Sequence, residues 1–146
     1  MEHQFLDLNV SEFYYFPSIK YAHLMLRDNV VYSLKTVEED FLKINNLRKD
    51  EKIYVLLNMT NTSFEHIPKE VMNYMANSPY KKYHIKIALI ATGLGQKQFG
   101  NFYLNVFKPE SKTKIFSTVK EDFKWFDFED HEAELKELDC ALQHNG

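Results

Sequence analysis

Little in this chain could hold it together by covalent or metal cross-links. One cysteine, Cys140, stands among 146 residues, which excludes an internal disulfide and a zinc site built from several thiolates. Glycine and proline number four each, too few for long linkers. No window approaches the roughly 20 apolar residues that span a bilayer. The first residues, Met1-Glu-His-Gln-Phe-Leu-Asp7, have neither a basic start nor an apolar signal core, so the reading is a cytoplasmic protein.

Charge of one sign is also scarce. The net charge is −3; from Glu121 onward nine acids face two lysines, a local −7, so residues 1–120 carry +4. Spread over that length, +4 is a weak footprint for nucleic acid or anionic lipid, and neither is expected as a partner. Lys81-Lys-Tyr-His-Ile-Lys86 is basic with interleaved aromatics, but lysine-bearing strand ends look the same.

What is abundant is aromatic: 12 Phe, 9 Tyr and one Trp. With 45% hydrophobic and 27% charged residues, the chain has the composition of one globular domain whose core is built on rings. Ile53-Tyr-Val-Leu-Leu is an unbroken apolar run suited to a strand covered on both faces, and Asn-Met-Thr-Asn-Thr-Ser-Phe64 follows as its polar end. Ile87-Ala-Leu-Ile-Ala91 is a second such run, broken by Thr92-Gly-Leu-Gly95.

Around these runs the elements alternate. Residues 21–26 and 30–34 predict a hairpin turned by Arg27-Asp-Asn29. Thr36-Val-Glu-Glu39 has capping-box spacing and opens a helix with Val37, Phe41 and Ile44 inward. Pro68 suits the first position of a helix whose stripe is Ile67, Val71, Tyr74 and Met75. Phe99, Phe102, Tyr103 and Val106 mark the next helix. Residues 112–117 predict a short strand, and Thr118-Val-Lys-Glu121 caps a helix with Val119, Phe123 and Phe126 inward. An acidic terminal helix carries His131, Leu135, Leu138 and Leu142. Residues 1–20 read as an extension laid on the core, with Phe13-Tyr-Tyr-Phe16 as apolar cover. The fold class is α/β, a sheet parallel after its first strand with helices packed on it.

This order, together with the 53–64 stretch, the 87–95 stretch and Thr113-Lys-Ile-Phe-Ser-Thr-Val-Lys-Glu-Asp-Phe-Lys-Trp-Phe126, resembles the STAS domain (sulfate transporter and anti-sigma-factor antagonist). Gly100-Asn-Phe-Tyr-Leu-Asn-Val-Phe-Lys-Pro109 is similar to small bacterial STAS-like proteins. The resemblance covers about residues 21–126, leaving 1–20 and the acidic helix 127–146 as additions to a single domain. It implies a mixed, mostly parallel sheet and a non-enzymatic regulatory or protein-interaction role. Members that act as anti-sigma antagonists carry an Asp-Ser phosphoacceptor pair after the central strand; here His66 and Ile67 stand in its place, with Thr62 and Ser63 nearby.

Ligands of open α/β sheets gather at the carboxyl ends of the strands. The candidate binding residues are therefore Asn58, Thr60, Thr62, Ser63 and His66 on one loop, and Thr92, Gly93 and Gly95 on the other. Gly93 and Gly95 match neither a dinucleotide fingerprint nor a P-loop. The six histidines, His3, His23, His66, His84, His131 and His144, show no ligand spacing, so no metal or other cofactor is expected. No nucleophilic triad or paired-carboxylate motif stands out. The sequence thus favours a non-enzyme that binds a protein partner or a second copy of itself. A carrier or sensor of a small apolar or anionic ligand is the alternative.

Overall fold

Six strands lie in one sheet in chain order, and helices cover both its faces. The computed structural model describes residues 3–62, 67–128 and 132–145. Strand β2 (Ser11–Phe16) pairs antiparallel with β1 (Gln4–Asp7) on one side and with β3 (Tyr21–Leu26) on the other. From β3 onward the sheet is parallel through β4 (Ile53–Asn58), β5 (His84–Ile90) and β6 (Thr113–Phe116). The helices are α1 (Leu34–Arg48), α2 (Lys69–Asn77), α3 (Leu94–Phe107), α4 (Val119–Trp125) and α5 (Glu132–Asn145).

The two-residue period of the strands sorts side chains onto two cores. Phe13, Tyr15, Leu24, Val55, Leu57, Ile87 and Leu89 point to the face covered by α1, α2 and α3. Tyr14, Phe16, Tyr21, Leu56, Ala88 and Ile90 point to the face covered by α4 and α5. Sequential parallel strands whose three crossover helices share one face are what crossovers of a single hand produce. The second face is aromatic: Tyr21 meets Phe123 edge-on at 4.9 Å between ring centroids. Leu138 and Ala141 seat α5 on this face of its own sheet, and Cys140 is exposed.

Several expectations change. The predicted hairpin between 21–26 and 30–34 is absent, because β3 already pairs with β2 on one side and β4 on the other. Leu34 instead starts α1. The true partner of β3 is β2, joined to it by a 3-10 turn at Pro17–Ile19 and Lys20 in the left-handed region. Residues 4–16 are therefore part of the sheet rather than an extension laid on it. Asp40, buried on α1, accepts the amides of Asn9 and Val10 at 2.8 and 3.0 Å and clamps the β1–β2 turn.

The α1 cap sits earlier than expected. The Ser33 hydroxyl accepts the Thr36 amide and Thr36 accepts the Ser33 amide, both at 3.2 Å, which makes Thr36 the third helical residue and not the cap. Pro68 caps α2 from outside rather than opening it. On α3 only part of the predicted stripe is inward: Phe99 and Tyr103 face the core, while Phe102 and Val106 are 44% and 54% exposed. The Thr118 cap stands, its hydroxyl accepting the Glu121 amide at 3.2 Å.

Candidate functional site

The two carboxyl-edge loops do lie side by side, as the parallel β4–β5 pairing requires. Their polar groups, however, satisfy one another. The Asn58 carbonyl oxygen accepts the Thr60 amide at 3.0 Å and the Thr60 hydroxyl at 2.7 Å, while its amide nitrogen donates to His23 Nε2 at 3.2 Å. His23 in turn meets the Tyr21 hydroxyl at 3.0 Å through Nδ1. Burial lowers the His23 pKa to about 3, so this ring is neutral at pH 7.

Gln96 fills the space between the loops. Its carbonyl accepts the Thr92 amide at 3.0 Å, and its amide donates to the Thr60 and Thr62 carbonyls at 3.2 and 3.4 Å. Thr62 is buried. Gly93 caps α3 and Gly95 lies in its first turn; neither has a positive φ, and a Cβ on either would meet nothing within 4 Å. Ser63 and His66 lie outside the described residues.

The opposite edge is built differently. A cavity of about 60 Å³ lies between the sheet and α1, α2 and α3. Leu24, Val55, Leu57, Ile87 and Leu89 form its floor, and Phe41, Ile44, Met75 and Tyr103 its roof. The far wall lies at the amino ends of the strands: Arg48 closes α1, Lys81 stands in the turn before β5, His84 begins β5 and Thr113 begins β6. Among the described residues no carboxylate lines the cavity.

Three elements deliver the polar groups of that wall. Arg48 is 3% exposed; one terminal nitrogen donates to the Glu51 carbonyl at 3.2 Å, another bonds Asn45, and its plane stacks 4.1 Å from the Tyr83 ring centroid. Among the described residues its Nε has no hydrogen-bond partner, and neither has His84 Nδ1. Lys81 is 7% exposed, and burial lowers its pKa to about 8. Burial, then the Lys81 and Arg48 charges, lowers His84 to about 3. At neutral pH the wall therefore carries two cations and one neutral imidazole.

On the other face Asp122 is fully buried, with neither oxygen hydrogen-bonded among the described residues. Burial and then Glu121 raise its pKa to about 8, leaving it largely protonated at pH 7. Among the described residues no group of three His, Cys, Asp or Glu could hold a metal ion. Among the described residues no helix is long and apolar enough to cross a membrane.

With the geometry in view, comparison with known proteins bears on the fold. A domain of unknown function, DUF7793, matches residues 22–128. The chain belongs to this family. No curated protein matches it. Among solved structures it is similar to an uncharacterized protein of the DUF3478 family with a SpoIIAA-like fold from Shewanella loihica PV-4. That match has a TM-score of 0.55 at 11% identity and covers 86% of this chain and 92% of that one. The fold is therefore STAS-like, as the order of elements implied; at that identity the likeness speaks for the fold alone.

The residues that reading the sequence missed are Arg48, Lys81 and His84. Arg48 sits in a charged run, Arg48-Lys-Asp-Glu-Lys52, that reads as a connection, and Lys81 and His84 in a basic strand approach. Nothing in either stretch marks which cation is buried. The available signal was the aromatic neighbour: Tyr83, between Lys82 and His84, supplies the ring on which Arg48 stacks.

Proposed function

We propose that this DUF7793 protein is a non-enzymatic STAS-like module that senses or carries a small apolar ligand. The ligand sits between the sheet and α1–α3, at the amino half of the parallel strands and not at the carboxyl-edge loops. The observation that carries the reading is the cavity of about 60 Å³, floored and roofed by aliphatic and aromatic side chains. Interiors pack closely enough that a void of this size is uncommon and costs dispersion contacts. A bound apolar molecule restores those contacts.

The test is titration calorimetry with 1-hexanol on the wild type and on Ile44→Phe, which puts a ring into the roof. Saturable binding that Ile44→Phe abolishes supports the reading; absence of binding to the wild type overturns it.

A protein-interaction role is favoured by a separate feature. Leu94, 75% exposed, shares α3 with the exposed Phe102 and Val106, and apolar residues grouped on one helix mark contact surfaces. Phe102→Glu is expected to leave folding intact and to remove any partner that the wild type recovers stoichiometrically. Recovery of the same partner by both proteins counts against this surface.

A further inference from the structure

We infer that the amino-edge wall of the cavity is an anion cradle, in which Arg48, Lys81 and His84 receive the carboxylate or phosphate head of a small amphipathic molecule whose short apolar chain fills the cavity. The inference rests on the ligand-binding reading above and adds the class of ligand.

Sign comes first. Among the described residues the lining includes two cations and no acid, Asp50 and Glu110 acting on Arg48 and Lys81 from outside it, so a cationic ligand is repelled and an anionic one attracted. Buried charges are ordinarily paired, because desolvation costs several kcal/mol per ion in the absence of a partner. Among the described residues neither Arg48 nor the Lys81 ammonium forms an ion pair.

Hydrogen-bonding capacity agrees. Arg48 has used its terminal nitrogens on Glu51 and Asn45, and its remaining Nε–H points to no acceptor. His84 Nδ1 is buried and equally unspent. These two unspent nitrogens and the Lys81 side chain come from three elements that line the same end of one cavity. An oxyanion accepts from all three when His84 carries its proton on Nδ1. The site owes nothing to a helix N-terminus, since Arg48 lies at the carboxyl end of α1, whose dipole is negative there; the side chains alone supply the attraction.

Size bounds the tail. At roughly 30 Å³ per water in the liquid, about 60 Å³ holds about two water-sized units. A short chain enters it, whereas a long acyl chain does not.

The groups around Lys81 set the pH response. Arg48 comes from α1, His84 from β5, Tyr80 and Tyr83 from its own turn, and Glu110, the acid that acts on it, from the α3–β6 connection. Lys81 loses its proton above about pH 8, so the affinity for an anion should fall there while that for a neutral ligand does not.

The experiment compares hexanoate, hexyl phosphate and 1-hexanol by titration calorimetry on wild type and Lys81→Met, which keeps the length of the side chain. Charge-assisted bonds predict that one or both anions bind at least about tenfold more tightly than the alcohol, and that Lys81→Met removes most of this advantage while sparing hexanol. The ratio of hexanoate to hexyl phosphate then separates a carboxylate from a phosphate head. If the alcohol binds as tightly as both anions, or Lys81→Met changes nothing, the cradle is overturned and the apolar cavity stands. If 1-hexanol does not bind the wild type in the millimolar range, the apolar-ligand reading falls and the cradle falls with it.

Discussion

The two ends of the parallel strands follow opposite rules. At the carboxyl edge Asn58, Thr60, Thr92 and Gln96 are short or neutral, and they use one another and the backbone as partners. At the amino edge Arg48, Lys81 and His84 are long or titratable and largely withdrawn from water, and Arg48 and His84 retain unspent nitrogens beside a void among the described residues. A neutral polar cluster after a strand closes easily on itself, because its groups can bond their own backbone. A buried cation closes on itself less completely: Arg48 bonds the Glu51 carbonyl and Asn45 nearby, yet its Nε–H stays unspent among the described residues. This contrast is the ground for the proposed reading, in which unsatisfied charge next to empty volume, and not the polar loop at the customary edge, marks where a ligand binds.

The largest expected effect would come from opening the closed edge. Asn58→Ala removes the acceptor of the Thr60 amide and hydroxyl and leaves buried His23 Nε2 without a donor. Leaving buried groups unpaired costs about 1–3 kcal/mol each, so urea denaturation should show a loss of about 2–4 kcal/mol. Unchanged stability would mean that Asn58 is not committed to the fold and is free for a ligand, which would erase the contrast.

At the open edge the effect should have the other sign. The folded pKa of Lys81, about 8, is below its ordinary 10.5, so the folded state resists a proton that the unfolded chain holds. The penalty is present below pH 8 and is relieved as pH rises toward 10.5. Lys81→Met is therefore expected to stabilise the ligand-free protein by about 1–3 kcal/mol at pH 7, the gain vanishing toward pH 10.5. A loss of stability at pH 7 would show that Lys81 already has a partner in solution.

The sequence made the closed edge conspicuous and hid the open one. The apolar runs beginning at Ile53 and Ile87 identify the central strands because residues buried on both faces leave no alternation to misread. The same property conceals β2: Phe13-Tyr-Tyr-Phe16 is buried on both faces and so resembles a generic apolar cover. The Ser33 cap was obscured by Thr36, which has capping-box spacing of its own but serves as the third residue of the motif. Arg48, Lys81 and His84 sit on separate elements, and their convergence depends on the crossover from α1 and on the turn before β5. Burial of a lysine among lysines is set by the tertiary fold, so Lys81 and Lys82 read alike until one is seen inside and the other out.

The smallest effect bears on the glycines that made the carboxyl edge look like a binding loop. Gly95 lies in the first turn of α3, its φ is not positive, and a Cβ there meets nothing within 4 Å. No conformational demand requires glycine, so Gly95→Ala should stabilise the protein by about 0.5 kcal/mol through the unfolded chain's lost freedom. Binding of hexanol and hexanoate should be unchanged, since the substitution is at the far end of the strands from Arg48 and Lys81. A ligand that is lost in Gly95→Ala but retained in Lys81→Met would have to sit between Thr60 and Thr92. It would then have to displace the bonds of Gln96 to Thr60, Thr62 and Thr92 to enter, and the assignment of the two edges would be reversed.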